Sequence, residues 1–253
     1  MTQLFRILFF TSSLLFSSQL RAQKTVSQPE SFSFFSVGFG SYLAAGDYDE
    51  YFGTHFQLGG QLGYKTKNNL MFTLEGNFIF GNQVESDEML KNVRTSNDEI
   101  LDKDGQIATI LFFHRGYSFL ATAQKILPTK WAKNPNSGIF ISGGLGFLQH
   151  KVRVENQNNR IPFLDGDYEK GYDRRTNGLV LKQSIGYVNF SNSGLANFSL
   201  AFEVYEAFTK NRRAYNFDLG GPDNRSRLDL AFGIRFSWLV PMFSRMSTQY
   251  YID

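Results

Sequence analysis

Three histidines could do chemistry in this chain: His55, His114 and His150. Clustered imidazoles can hold a divalent metal, and a single one can serve as a general base. Their spacing carries no His-x-His or His-Glu-x-x-His signature, and no Ser or Asp stands in a recognisable triad motif. Triads are assembled in space, so a missing motif does not exclude a site. The expectation is nevertheless no catalytic residue, no metal and no cofactor. A second set is charged: Glu75, Lys182, Glu203 and Arg235, each on the polar side of an alternating run. A third is acidic and rich in tyrosine, Asp47-Tyr48-Asp49-Glu50-Tyr51 and Asp165-Gly166-Asp167-Tyr168-Glu169. Such loops can bind Ca²⁺ or bridging cations, but neither piece has the spacing of a calcium loop, so both read as solvated. A fourth is basic, Lys210, Arg212, Arg213, Arg225 and Arg227, suited to anionic sugar-lipid head groups or to plain solvent.

The elements that must position these residues are strands. Phe35, Val37, Phe39 and Leu43 share one face of a strand over about 32–43, against Ser36, Gly38, Gly40 and Tyr42. The same period-2 pattern returns over 55–65 and 70–81, joined by the tight turn Thr66-Lys67-Asn68-Asn69, which makes a hairpin. A fourth strand lies within 107–126, with a bulge expected where the phase blurs at Phe112-Phe113-His114-Arg115-Gly116. The remaining strands fall at about 138–154, 177–190, 195–208 and 227–240.

The gaps run long, short, long, short. Residues 44–54, 82–106, 155–176 and 209–226 are long and polar; 66–69, 127–137 and 191–194 are short. This is the rhythm of an all-β, eight-stranded antiparallel up-and-down transmembrane barrel, with short periplasmic turns, long outer loops and both termini periplasmic. Tyr64, Trp131, Tyr187 and Trp238 fall at the expected periplasmic edge, where amphipathic rings settle. A ten-stranded count stays open, because 82–106 and 155–176 could each extend a hairpin. A soluble sandwich or lipocalin-like barrel also alternates. It would, however, have to pack a Phe-dominated face inside a small barrel.

Composition agrees with the membrane reading. The chain has 27 Phe, 12 Tyr and 23 Gly among 253 residues and no Cys, which closes disulfides, Cys-ligated metals and a lipoprotein anchor. A net charge of +3, evenly spread, argues against nucleic acid. Residues 1–22 read as a secretory signal peptide, with Arg6 before an apolar run from Ile7 to Phe16 and small residues at the end. Residues 23–31 are then a short periplasmic segment, 32–240 the barrel, and 241–253 a periplasmic tail beginning where Pro241 stops the last strand. Tyr250 and Tyr251 in that tail are candidates for contacting a partner.

An eight-stranded barrel has room inside for side chains and little else. The four charges therefore need one another. The expected arrangement has Arg235 meeting Glu203 on the neighbouring strand, with Glu75 across the barrel, as a structural plug rather than an ion or proton path. The histidines are expected toward the outer rim.

The end of the signal peptide at Arg21-Ala22-Gln23, the Gly/Phe-rich strands and the closing Phe232-x-Ile234-x-Phe236-x-Trp238 resemble the small outer-membrane barrels of the Bacteroidota, the OmpX/OmpW-like and PorT-like group. The resemblance covers about 32–240 and transfers no functional residue. It implies a non-enzymatic barrel that partners outer-membrane lipid and a larger envelope protein complex, as scaffold or accessory subunit in protein export or outer-membrane assembly. The alternatives are a narrow channel or porter for small or hydrophobic solutes, and a lipid-modifying barrel enzyme using a rim histidine.

Overall fold

The computed structural model describes residues 27–242 except 86–88, 157–160, 162–163, 165 and 192–195. The expected signal peptide and the tail with Tyr250 and Tyr251 lie outside the described residues. Eight strands follow in chain order: β1 (Phe32–Gly46), β2 (His55–Lys65), β3 (Leu70–Gly81), β4 (Ile110–Pro128), β5 (Gly138–Asn156), β6 (Thr176–Asn189), β7 (Phe198–Asn211) and β8 (Ser226–Met242). Each pairs antiparallel with its chain neighbours, and β8 returns to β1 from Ser33↔Met242 to Gly46↔Asp229, so the sheet is a closed barrel with no free edge.

Strict alternation is what lets these sequences close. Odd-numbered Phe35, Val37 and Phe39 point out of the barrel while Phe34, Ser36 and Tyr42 point in. Around the ring the outward residues are large and apolar, among them Leu74, Phe119, Leu145, Phe202, Ile234 and Trp238. An apolar surface of that extent suits hydrocarbon, not water. A soluble barrel would carry the reverse arrangement.

The pairing corrects two sequence expectations and closes one open alternative. No bulge interrupts β4: its register runs without a break from Gly81↔His114 to Leu70↔Lys125 against β3, and from Ile110↔Asn156 to Pro128↔Gly138 against β5. The phase blurs because the upper strand faces apolar loops within, where Phe112 packs, while outward Arg115 donates to the carbonyls of Gly81 and His114. Pro241 does not end β8, which pairs through Phe34↔Pro241 and Ser33↔Met242; at a strand end its missing N–H costs little. The long gaps add no strand pair to the barrel, which has eight strands rather than ten.

β4 and β5 have 19 residues each, more than the ~9–11 that cross a bilayer. Their upper ends carry a cap built from the four long loops. Its apolar core includes Met89, Leu90, Ile100, Ile161, Leu164 and Tyr172, all buried. At the other end Phe32, Phe34, Met71, Ile126, Phe140 and Leu239 fill the barrel floor. Lys65 closes that floor, donating to the carbonyls of Glu30 and Thr66 and, at 2.7 Å, to Asn136 Oδ1.

Candidate functional site

Between floor and cap the lumen is polar. Inward positions of four strands bring Glu75 (β3), Lys182 (β6), Glu203 (β7) and Arg235 (β8) to one level, each at most 3% exposed. Lys182 Nζ lies 2.7 Å from Glu75 Oε2 and 3.0 Å from Glu203 Oε1. Arg235 Nη1 is 3.7 Å from Glu75 Oε1, and its Nε donates to Ser237 Oγ at 3.3 Å. The expected direct Arg235–Glu203 contact is replaced by this arrangement. Arg235 stands opposite Ala201, and Glu203 opposite Gly233, two positions along the strand, so Lys182 reaches Glu203 instead.

Neutral groups complete the layer. Tyr42 and Tyr205 both donate to Glu203 Oε2, at 2.6 and 3.1 Å. Asn77 and Gln61 donate to Glu75 at 2.7 and 3.0 Å. Room for the long side chains comes from glycine: a Cβ on Gly38 would sit 2.6 Å from Arg235 Nε, and one on Gly40 2.7 Å from the Tyr42 ring. Two carboxylates face two cations, so the layer is balanced in charge; its carboxylates are densely hydrogen-bonded, whereas Nη1 and Nη2 of Arg235 have no hydrogen-bond partner among the described residues. A polar cavity of about 30 Å³ borders Lys182, Ser142 and Arg235, space for about two water molecules.

Above this layer the three histidines come together, but not at a rim. His55, His114 and His150 all point inward and are at most 2% exposed. The first long loop inserts Tyr48 among them: its ring centroid is 5.4, 5.4 and 4.8 Å from theirs, and its hydroxyl is 2.9 Å from His114 Nε2. Phe52 stacks on His114 at 3.9 Å. His150 Nε2 donates to Asp229 Oδ2 at 2.9 Å, and Thr209 Oγ1 donates to the same oxygen at 2.5 Å. Burial, with Asp229 nearby, pushes the Tyr48 hydroxyl well above its usual pKa, so it stays a neutral hydrogen-bonding group. Among the described residues no group of three or more His, Asp or Glu is arranged to hold a metal ion.

The loops differ from the solvated ribbons expected of them. Tyr48 is buried, and Tyr51 lies between the guanidinium groups of Arg174 and Arg227, at 4.5 and 4.8 Å from its ring centroid. Asp47 accepts the Leu228 amide at 2.6 Å. The second acidic piece is the exception: it forms a short 3-10 helix over Gly166–Gly171 whose Asp167 and Tyr168 stay solvated, as expected. Three of the basic residues are paired with cap carboxylates: Arg213 with Asp173 and Arg227 with Asp223 within the cap, and Arg225 with Glu50 and Asp223 at its surface. Lys210 and Arg212 stay exposed, Arg212 donating to Asn177. Sequence reading missed Asp229, Thr209, Tyr205 and Gln61. The signal for each was an inward position by strand parity, which only becomes selective once the register is known.

No family model matches the chain, and no curated protein matches it. Solved structures similar to it include Ail, the attachment invasion locus protein of Yersinia pestis, in complex with the heparin analogue sucrose octasulfate. That chain is 11% identical with a TM-score of 0.43, over 83% of this chain and 99% of Ail. A second Ail structure gives 11% identity and a TM-score of 0.44, over 83% and 99%. Neisserial surface protein A gives 13% identity and a TM-score of 0.44, over 83% and 97%. Both neighbours are small eight-stranded outer-membrane barrels. By its own geometry, an apolar wall outside and a charged lumen within, this chain is a barrel of the outer-membrane type.

Proposed function

We propose that the protein is a sealed, non-enzymatic outer-membrane barrel that acts by binding, as a scaffold or accessory subunit of an envelope protein-export or outer-membrane assembly complex. The observation that carries this reading is closure of the lumen at three heights. Apolar Phe34, Ile126 and Phe140 fill the floor, the Glu75–Lys182–Glu203–Arg235 layer fills the middle, and Tyr48 with the three histidines fills the top. A channel needs a continuous polar path, and an enzyme of lipids needs its catalytic group within reach of the bilayer. Here the imidazoles lie beneath a folded cap. What is left to function is the outside: the wall, the loops and the ends of the chain. Long loops at one end and short turns at the other favour loops outside the cell and both termini in the periplasm.

The test is a gentle-detergent pull-down of the tagged protein from its native outer membrane, followed by mass spectrometry. Stoichiometric co-purification of a larger barrel or a periplasmic lipoprotein is the expected result. A lone monomer, reproducibly free of partners in mild detergent, would overturn the accessory-subunit reading.

A further inference from the structure

Glu206 is out of place. On β7 the outward side chains run Leu200, Phe202, Val204, Glu206, Phe208, so a carboxylate interrupts the apolar wall with apolar residues above and below it. Its described hydrogen bond comes from another outward polar group, Gln183 Nε2, at 3.2 Å. Among the described residues no Lys or Arg lies within ion-pair distance of it. Hydrocarbon cannot solvate a carboxylate, and ionisable groups at such positions mark functional contacts.

A groove adjoins this polar pair. Small residues Ala121, Ala123 and Gly143 leave a concavity of about 700 Å³ on the wall, edged by Leu62, Leu74 and Leu181. Leu181 stands opposite Glu206 in the β6–β7 register, and Gly143 opposite Gln183 in the β5–β6 register. Groove and carboxylate are therefore one continuous surface facing the membrane.

The geometry points to an intramembrane docking site for the transmembrane stretch of another protein, one that lays apolar side chains into the groove and presents a Lys or Arg to Glu206. This rests on the accessory-subunit reading and names the surface it would use. A lipid acyl chain would fill the groove but leave the carboxylate bare. A second copy fits worse. In a two-fold dimer within one membrane both copies keep the same height, and the outward strand cations among the described residues, Arg115, Lys125, Lys151, Arg153, Lys210 and Arg212, lie toward the strand ends and loops rather than level with Glu206.

Two substitutions test the surface without touching the lumen. A Cβ added at Gly143 meets nothing within 4 Å, so the strand has room for a side chain there and Gly143→Leu projects into the groove. Glu206→Ala removes the carboxylate. With a photo-crosslinking residue in place of Leu145 in the full chain in intact cells, the expected result is one protein adduct. Its crosslinked peptide should be a membrane-spanning stretch carrying Lys or Arg. The adduct should fall about tenfold or more in each variant, in Glu206→Ala because one side of a buried interfacial charge pair is truncated and in Gly143→Leu because the groove is occupied, while the heat resistance of the folded barrel is kept. An adduct with a second copy, crosslinks to lipid alone, or an adduct indifferent to both substitutions would overturn the proposal. The pull-down separates the two levels. A partner that co-purifies equally with both variants removes this surface and leaves the accessory role standing. No partner with the unaltered protein removes the role itself.

Discussion

Lys182 reaches Glu75 across the lumen: Nζ and Oε2 are 2.7 Å apart, although the residues lie 107 positions apart in sequence and three strands apart around the ring. The same ammonium is 3.0 Å from Glu203 on the adjacent strand. One cation thus ties three strands together, and Arg235 supplies the second positive charge beside Glu75.

Removing that cation should be costly. Lys182→Met leaves two buried carboxylates facing one arginine, and breaking a buried pair on one side costs about 3–5 kcal/mol. The expected readout is a clear drop in the temperature at which the folded, fast-migrating species is lost on semi-native electrophoresis. The double variant Lys182→Met, Glu203→Gln should recover much of the loss, because one carboxylate, Glu75, then faces one cation, Arg235. A Lys182→Met barrel as heat-resistant as the unaltered one would refute the network as a structural tie.

Tyr48 should act as the stopper over the histidines. Its ring contacts all three imidazoles, and the chain has no others. In the folded protein, diethyl pyrocarbonate should leave His55, His114 and His150 unmodified. Tyr48→Ala should expose them to the reagent with the barrel still folded. Modification of the unaltered protein at a rate typical of free histidine would show that the cap does not cover them.

The cap should loosen in acid. Burial alone would raise the Asp223 carboxyl, but the Arg227 guanidinium at 2.6 Å and the Arg225 amide more than offset it, so its pKa falls below the ordinary 3.8. A carboxyl depressed in the folded state stabilises it above the unfolded value, and the stabilisation is lost as pH falls through the folded one. Hydrogen exchange in the loop over 212–225 should therefore rise below about pH 4, and Asp223→Asn should already exchange faster at neutral pH. Equal protection in the two proteins at neutral pH would exclude this pair as a clasp.

The barrel was legible because alternation is a local signal: Phe202, Val204 and Phe208 on one face and Ala201, Glu203 and Tyr205 on the other are fixed by parity alone. The β2 and β3 bounds could be read to the residue because a four-residue polar turn separates them. Contacts across the lumen were not legible. Which cation meets Glu203 depends on a two-residue stagger between β7 and β8 that no single strand encodes. Strand topology alone puts the histidines toward the outer rim, and nothing in Asp47-Tyr48-Asp49-Glu50-Tyr51 says that Tyr48 turns inward to cover them. Glu206 carries no motif of its own in the sequence; its meaning depends on the wall around it.

Planar-bilayer recording of the refolded full barrel tests most directly that this protein binds rather than conducts. A lumen filled at three heights predicts no unitary current steps at neutral pH, in the unaltered protein or in Tyr48→Ala, whose middle layer is intact. Stable, reproducible steps from the unaltered barrel would contradict the account and return the charged layer to the role of an ion path.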